Sequence, residues 1–341
     1  MSHTPVLLKE VLDLLDPKPG NFVIDGTVDG GGHARAILSR ISPGGTLLGV
    51  DWDARMIANS KIQSSNSKVV LVHGNYADLP DILREQKLPK ADFVSPKGDS
   101  IPPKADFVSP KGDSIPPKAD FVSPKGDSIP PKADFVSPKA DGLLLDLGFS
   151  SEQIDAEGRG MSFLRDEPLR MTYSDDQDPV SKILRELSER DLTKILREYG
   201  EERYAPRIAK AIKESLNKGS VETTGRLAEI IAEAVPRNYE RGRIHPATRT
   251  FQALRIYANA ELENLTKVLQ ALPGILNMGG RVAILTFHSL EDRIVKHTFR
   301  AMEKEGVLEV LTKKPVEASE SEMQENPRSR SAKLRAALIK S

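Results

Sequence analysis

Acidic residues and a glycine-rich turn follow successive apolar segments of this 341-residue chain. Asp25 precedes the turn Gly26-Thr-Val-Asp-Gly-Gly-Gly-His33, Asp51 ends a second apolar segment, and Asp146 ends a later one. Because parallel strands place their carboxyl ends at one edge of a sheet, we expect these groups to lie close together. Glycines let the backbone approach a ligand, and a carboxylate accepts hydrogen bonds from sugar hydroxyls. The spacing therefore predicts a nucleotide-like ligand at that edge.

The kind of nucleotide follows from the side chains at the strand ends. The dinucleotide fingerprint G-x-G-x-x-G would need glycine in place of Val28 or Arg35, which disfavours a nicotinamide cofactor. Asp51 suits the two ribose hydroxyls of an adenosine. Tyr76 could stack on the adenine or Asp78 could accept its amino group, although a loop-anchoring role for Tyr76 fits the spacing equally well. Asp146 would lie beside a sulfonium and its methyl group. Jointly these strand ends predict an S-adenosylmethionine site, whereas each residue alone could be an ordinary cap or turn residue.

The elements that must position these residues alternate between strands and helices. Apolar segments without a polar alternation are typical of buried parallel strands. We predict an α/β fold with a Rossmann-like, class I methyltransferase sheet, an inserted helical domain and a low-complexity repeat loop. The predicted strands are Phe22–Asp25, Thr46–Asp51, Val69–His73, Gly142–Leu147, Arg281–Phe287, Val307–Thr312 and Lys333–Ile339, and the predicted helices include His33–Arg40, Asp53–Lys61, Tyr76–Gln86 and Thr250–Leu272.

Domain boundaries follow from the same patterns. The charged, helix-favouring residues 155–240 are predicted to form a helical substrate-recognition domain. The cofactor-binding domain is predicted to comprise residues 1–89, 139–154 and 241–341.

A tandem repeat separates the first two parts of the cofactor-binding domain. The unit that begins Lys90-Ala-Asp-Phe recurs from Lys104 and Lys118, and in part from Lys132. Its few apolar residues among prolines and charges cannot bury a core, so 90–138 is predicted to be an extended or disordered loop insertion.

Composition excludes several classes of protein. The chain has no cysteine, and its six histidines lack the spacing of metal ligands, so neither a disulfide framework nor a metal site is predicted. No apolar run approaches the ~20 residues that span a bilayer, and the first residues lack the pattern of a secretory signal, so we expect no membrane association and a cytoplasmic location. Lys+Arg and Asp+Glu are equal at 49 each, so nucleic-acid binding must rest on local basic patches.

One basic patch lies in 236–255, where five arginines and one glutamate are interleaved with aromatic residues. Arginine binds phosphate bidentately, so Arg243 and Arg249 are candidate RNA contacts; a solvated loop with ordinary ion pairs is the alternative. His288 follows a predicted strand and could hydrogen-bond a base or ribose, or could cap the next helix. A second basic cluster holds Arg328, Arg330, Lys333 and Arg335.

Further motifs accompany the glycine turn. They are His3-Thr-Pro-Val-Leu-Leu-Lys-Glu10, Leu145-Asp-Leu-Gly-Phe-Ser-Ser151, Tyr199-Gly-Glu-Glu-Arg-Tyr204, His245-Pro-Ala-Thr-Arg-Thr-Phe-Gln252, Phe287-His-Ser-Leu-Glu-Asp-Arg293 and Glu325-Asn-Pro-Arg-Ser-Arg330. Together with the turn they resemble the bacterial 16S rRNA (cytosine-N(4)) methyltransferase family over nearly the whole chain except the repeats. The resemblance implies methylation of a decoding-centre cytidine of the small ribosomal subunit and leaves the oligomeric state open.

The resemblance also implies a set of cofactor contacts, of which Gln153 rests on the resemblance alone. Two positions depart from the family's pattern. Asp29 stands where glycine is usual, so its carboxylate could pair with the cofactor's ammonium or repel its carboxylate. Phe149 stands where a smaller aliphatic residue is usual, and its ring could stack on the target base. The implied contacts are Gly31, Gly32, His33, Asp51, Tyr76, Asp146 and Gln153.

The chemistry of the implied substrate sets what the site must supply. An exocyclic cytosine amine is a weak nucleophile because its lone pair is delocalised, and methylation builds positive charge on that nitrogen. Hydrogen-bond acceptors near Asp146 and Ser150 would stabilise this charge, and a base within folded RNA would need to leave its stack. The alternatives are a methyltransferase for another RNA, a protein or a small molecule, and a non-catalytic RNA-binding assembly factor.

Overall fold

The computed structural model describes residues 5–86, 138–147, 158–219, 221–242 and 244–340, with the backbone alone at positions 240 and 241. The predicted repeat loop, up to residue 137, lies outside the described residues. So do Phe149, Ser150, Gln153 and Arg243, for which the predicted roles stay predictions.

A mixed sheet of eight strands forms the centre of the fold. The strand order is β3-β2-β1-β4-β5-β8-β6, with β7 beside β8; β1 to β5 run parallel, and β8 runs antiparallel to its neighbours. This is the predicted Rossmann-like α/β sheet. Its strands are β1 Phe22–Asp25, β2 Thr46–Asp51, β3 Lys68–His73, β4 Ala140–Asp146, β5 Leu276–Thr286, β6 Leu308–Val310, β7 Val316–Glu317 and β8 Lys333–Ile339.

Helices cover both faces of the sheet because the central strands are apolar on both sides. All six residues of β2 are buried, and successive residues such as Val23 and Ile24 belong to separate apolar clusters on opposite faces. Helices α1 and α2 pack on one face, and α4, α10 and α11 on the other. The helices are α1 Leu8–Leu15, α2 Gly32–Ile41, α3 Ala54–Asn59, α4 Leu79–Glu85, α5 Val180–Glu186, α6 Glu189–Gly200, α7 Ala205–Lys218, α8 Thr224–Ala234, α9 Ala247–Asn259, α10 Glu261–Ile275, α11 Ser289–Lys304 and α12 Glu320–Glu325.

Helices α5 to α9 share an apolar core of their own. This cluster runs from Leu169 to Leu262, with Leu290 of α11 added, and takes in Leu196, Ile212 and Leu254 from three different helices. The predicted boundary after residue 240 stays a prediction, and the packing of α9 against α6 argues for a boundary near residue 260. Within the described ranges, no helix has both the length and the apolar character needed to cross a membrane.

The single long helix predicted over Thr250–Leu272 is wrong. Ala260 has a left-handed backbone, with φ +48°, and separates α9 from α10. The fully buried Asn259 side chain accepts a hydrogen bond from the Tyr173 N–H at 3.0 Å and donates to the Met171 carbonyl at 2.8 Å. Alanine is the strongest helix former, so the pattern could not reveal the break. The break turns Glu261 towards the carboxyl edge of the sheet.

The left-handed residue gives a test of stability. In the folded state, a left-handed backbone destabilises alanine by about 1–2 kcal/mol relative to glycine. Against this, glycine stabilises the unfolded state by about 0.4–1 kcal/mol, because it gives the unfolded chain more conformational freedom. We therefore expect Ala260→Gly to raise the free energy of unfolding in urea by about 0.5–1 kcal/mol. Ala301→Gly, at an exposed position in the last turn of α11, should instead lower it, by up to about 1 kcal/mol. Equal losses in both variants would contradict this account of Ala260.

Candidate functional site

An open cleft lies at the carboxyl ends of β1, β2, β4 and β5. This position is the one that open parallel sheets use for ligands. The lining residues are Gly26, Thr27, Asp29, Asp51, Trp52, Tyr76, Asp146, Leu147, Tyr173, Glu261 and Glu291.

Acidic and aromatic side chains dominate the cleft. The lining includes five carboxylic side chains and three aromatic rings, and none of the described lining residues is lysine, arginine or histidine. Such a surface attracts a cation and a planar ring and repels a pyrophosphate, because no positive side chain would offset the phosphate charges. The cleft therefore fits a positively charged nucleoside.

Asp51 joins the cleft to the glycine turn. One carboxylate oxygen accepts the Asp29 N–H and the other accepts the Asp53 N–H, each at 2.8 Å. The side chain is almost fully buried, and burial raises the pKa of Asp51 to about 6 even though these hydrogen bonds lower it. Asp51 therefore both holds the turn and presents a carboxylate to the cleft.

The turn itself needs left-handed backbone at two positions. Gly31, at φ +74°, precedes α2, and a Cβ there would lie 2.7 Å from Arg35 Nη1. Asp29 has φ +47°, which explains why glycine suits this position and why an aspartate, among the more tolerant residues in this region, can replace it. The carboxylic group of Asp29 lines the cleft.

His33 bridges the N-terminal segment and the end of β4. Its Nε2 lies 2.9 Å from the Val6 carbonyl oxygen, which only accepts, so Nε2 carries a hydrogen. Its Nδ1 lies 3.4 Å from Asp146 Oδ2, and only a protonated ring can donate there as well. Burial lowers the pKa of His33, but the hydrogen bond and charge of Asp146 outweigh it, so the net pKa is raised. The geometry is that of an imidazolium paired with a carboxylate.

One carboxylate oxygen of Asp146 is available to a ligand in the cleft. Its Oδ1 is buried and has no hydrogen-bond partner among the described residues. Behind it, Asp25 is fully buried, and burial raises the pKa of Asp25 to about 7. A buried, unpartnered acceptor is costly unless a ligand satisfies it. Asp146 Oδ1 is thus the atom most suited to receive a donor from a bound molecule.

Three rings form the remaining wall, and a buried ion pair lies behind them. The Trp52 and Tyr173 rings lie 5.8 Å apart, and Tyr76 lines the same cleft. The Tyr173 hydroxyl donates to Glu261 at 3.3 Å, and Arg255 donates to both Glu261 oxygens at 2.7 and 2.9 Å. These contacts fix Glu261 and Tyr173 at the cleft.

Comparison with known proteins now identifies the chain. Residues 1–340 match the family described as the MraW methylase family. The chain belongs to this family. This MraW-family methylase is therefore an S-adenosylmethionine-dependent methyltransferase, and the resemblance drawn from its motifs is confirmed.

Several curated relatives share the printed name ribosomal RNA small subunit methyltransferase H. That of Syntrophotalea carbinolica is 39% identical over 98% of this chain and 96% of its own length. That of Thermotoga neapolitana is 40% identical, covering 98% and 95%. Among solved structures, a putative rRNA-methylase from Clostridium thermocellum overlaps 97% of this chain and 94% of its own, with a TM-score of 0.39 and 9% identity.

The predicted cofactor contacts of this methylase fall into two groups. Asp51, Tyr76 and Asp146 line the cleft, whereas the turn residues Gly31, Gly32 and His33 lie beside it without lining it. Asp78, the alternative adenine contact, pairs with Lys267 at 2.6 Å and does not line the cleft. The contacts themselves stay predictions.

Sequence reasoning missed Trp52, Tyr173 and Glu261. Trp52 could have been found, because it directly follows the strand-end residue Asp51 and is the only tryptophan. Tyr173 lies between regular elements, and Glu261 was assigned to the middle of a helix, so neither carried a signal.

The two described RNA-binding candidates of this methylase make structural contacts. His288 caps α11: its Nδ1 accepts the Glu291 N–H at 3.5 Å, while Glu291 accepts the His288 N–H at 3.3 Å. Arg249 is half-buried and donates to the Glu201 carbonyl at 3.0 Å. The capping alternative for His288 is confirmed, and the RNA contacts of both residues stay predictions.

Proposed function

We propose that this methylase transfers the methyl group of S-adenosylmethionine to the exocyclic N4 amine of a cytidine in the 16S rRNA of the small ribosomal subunit, in the cytoplasm. The observation that carries the proposal is the acidic cleft with the buried, unpartnered oxygen of Asp146 at its end. The printed name of the relatives supports ribosomal RNA of the small subunit as the substrate.

The described residues fit the cofactor group by group. Asp51 would accept the ribose hydroxyls, and Trp52 or Tyr76 would contact the adenine. Asp29 would face the ammonium, and the free N–H groups at the start of α2 would face the carboxylate. The bound cofactor supplies a methyl group on a positively charged sulfur, which the carboxylates of the lining stabilise.

Asp146 is the group that we assign to the transferring centre. The amine lone pair would form the new C–N bond as the C–S bond breaks with its electrons going to sulfur, and the nitrogen would then lose one proton to solvent water. Asp146 Oδ1 would accept an amine N–H, orient the lone pair and stabilise the positive charge that develops on nitrogen. His33, paired with the other oxygen, positions the Asp146 carboxylate and does not contact the substrate.

Labelled cofactor tests the proposed reaction directly. Purified small subunits from a strain that lacks the enzyme should receive label from S-adenosylmethionine, and digestion of the RNA should yield N4-methylcytidine from one position. Subunits already methylated by the enzyme are the control and should receive none. Label in a ribosomal protein or in another nucleoside would overturn the proposal.

Cofactor affinity should depend on pH through Asp51. Its pKa of about 6 means that the carboxylate is mostly protonated at pH 5.5 and mostly ionised at pH 7.5. Only the ionised form accepts two hydroxyl hydrogen bonds and attracts the cationic cofactor, so binding should release a proton and tighten as pH rises. We expect calorimetry to show at least about a fourfold lower Kd at pH 7.5 than at pH 5.5. An affinity that stays flat or falls with pH would contradict the assignment of Asp51.

A further inference from the structure

A second charged surface lies outside the cleft. Lys296 and Arg300 on α11 and Lys313 after β6 line one surface pocket, here called the basic pocket. Arg335 and one carboxylic residue, Glu303, also line it. The chain as a whole carries equal numbers of acidic and basic residues, so this concentration of positive charge is local.

Three of these cations have no acidic partner in the described part of the chain. Arg335 pairs with both oxygens of Asp292, at 2.6 and 3.1 Å, whereas Lys296, Arg300 and Lys313 have no carboxylate oxygen within 4.0 Å among the described residues. Glu303 accepts the Val310 N–H at 2.9 Å through one oxygen. The basic pocket therefore carries an excess positive charge that suits an anion.

Helix α11 connects the cleft to the basic pocket, because residues of this helix line both. Glu291, in the cleft lining, and Lys296 and Arg300 lie on the same helix, about 7.5 and 13.5 Å further along its axis at 1.5 Å per residue. Lys313 lies three residues beyond β6, which runs antiparallel to β8 and so points towards the cleft edge. The last residue of β6, Val310, is level with Val282 of β5, about 10 Å away at two strand spacings. A strand of RNA with its target base in the cleft would reach the basic pocket within a few nucleotides.

The pocket is built to contact phosphate rather than bases. Its one aromatic residue, Phe299, is 1% exposed and cannot stack on a nucleotide. The Thr312 hydroxyl is buried and bonded to the backbone of Ala336. The polar groups of the pocket without a carboxylate partner are therefore the three flexible cations, and such groups position a nucleic acid without reading its sequence.

We propose that the basic pocket binds backbone phosphates of the RNA strand that carries the target nucleotide. This inference rests on the proposed function, since it takes RNA as the substrate. It assigns to Lys296, Arg300 and Lys313 a role in substrate affinity that is independent of cofactor binding and of the transfer step.

The test compares two triple variants of equal charge. Lys296→Gln, Arg300→Gln and Lys313→Gln together remove the three cations of the basic pocket. Arg40→Gln, Lys68→Gln and Lys139→Gln remove three exposed cations at the opposite edge of the sheet. Binding to small subunits and to protein-free 16S rRNA is measured at 50–200 mM salt, beside the melting temperature and the cofactor Kd.

Each release of a phosphate contact lowers the salt slope of log K by about 0.7 for single-stranded RNA. For both RNA samples we expect the pocket variant to bind about 10-fold or more weakly at low salt, and its salt slope of log K to be smaller by about 2. Its kcat, melting temperature and cofactor Kd should be unchanged. The opposite-edge variant should match the wild type in RNA affinity and in salt slope.

Other outcomes separate the two proposals. A pocket variant with the same salt slope as the opposite-edge variant would overturn the phosphate assignment. A slope lowered for intact subunits but not for protein-free RNA would overturn it in favour of an acidic protein surface. A different result would be that the wild-type protein binds RNA with the expected slopes and transfers no methyl group to it. That result would contradict the proposed function but not the phosphate assignment of the basic pocket.

Discussion

Asp146→Asn should lower kcat for methyl transfer by at least about 100-fold, in the range that positioned acid–base and charge-stabilising groups contribute. The substitution keeps the size of the side chain but removes the negative charge that faces the developing ammonium. It also leaves the His33 Nδ1 without an anionic partner, so the raised pKa of His33 should fall. The measurement is single-turnover transfer of label at saturating RNA and cofactor.

A second aspartate on the same strand gives the control for this prediction. Asp141, near the start of β4, accepts the Phe22 N–H at 2.9 Å and lies at the opposite edge of the sheet from the cleft. Asp141→Asn should leave kcat within about twofold of the wild type, since removing a group far from the reacting atoms changes no transition-state contact. If Asp146→Asn instead raises the cofactor Kd strongly and leaves kcat intact, Asp146 holds the cofactor and does not serve the amine.

The sheet could be predicted from sequence because burial on both faces leaves a strong pattern. Phe22–Asp25, Thr46–Asp51 and Lys333–Ile339 match the observed strands. The first two of these are short apolar runs bounded by turn residues, and a buried parallel strand has few alternatives. The break at Ala260 left no pattern because tertiary contacts of Asn259 impose it on residues that favour a helix.

The candidate site could be predicted only where chemistry coincides with a strand end. Asp51 and Asp146 lie in the cleft because parallel topology puts them there. Gly31 and His33 serve the site indirectly: one permits the backbone of the turn, and the other pairs with Asp146. Glu261 and Tyr173 reach the cleft through the packing of a separate helical cluster, and local sequence does not encode that approach.

Asp51→Asn should weaken cofactor binding by about 100-fold or more. Hydrogen bonds to a charged group are worth about 1.5–3 kcal/mol each, so losing the ionised acceptor for two ribose hydroxyls removes about 3 kcal/mol. The Asp51 carboxylate accepts hydrogen bonds from the Asp29 and Asp53 N–H groups. In the variant, the NH₂ group of the amide faces one of these two donors, so that hydrogen bond is lost. The expected result is a raised Kd in calorimetry, a lower melting temperature and a pH-independent Kd between pH 5.5 and 7.5.

Asp53→Asn separates cofactor recognition from the local fold. Asp53 caps α3 and pairs with Arg55, and its side chain does not line the cleft. Its substitution should therefore lower the melting temperature, because the ion pair is lost, while changing the cofactor Kd by less than about threefold. If both variants weaken the cofactor equally, the effect of Asp51 comes from the shape of the turn and not from its carboxylate. A loss confined to Asp51→Asn, together with the loss of pH dependence, can arise only from the charge that Asp51 presents to the cleft.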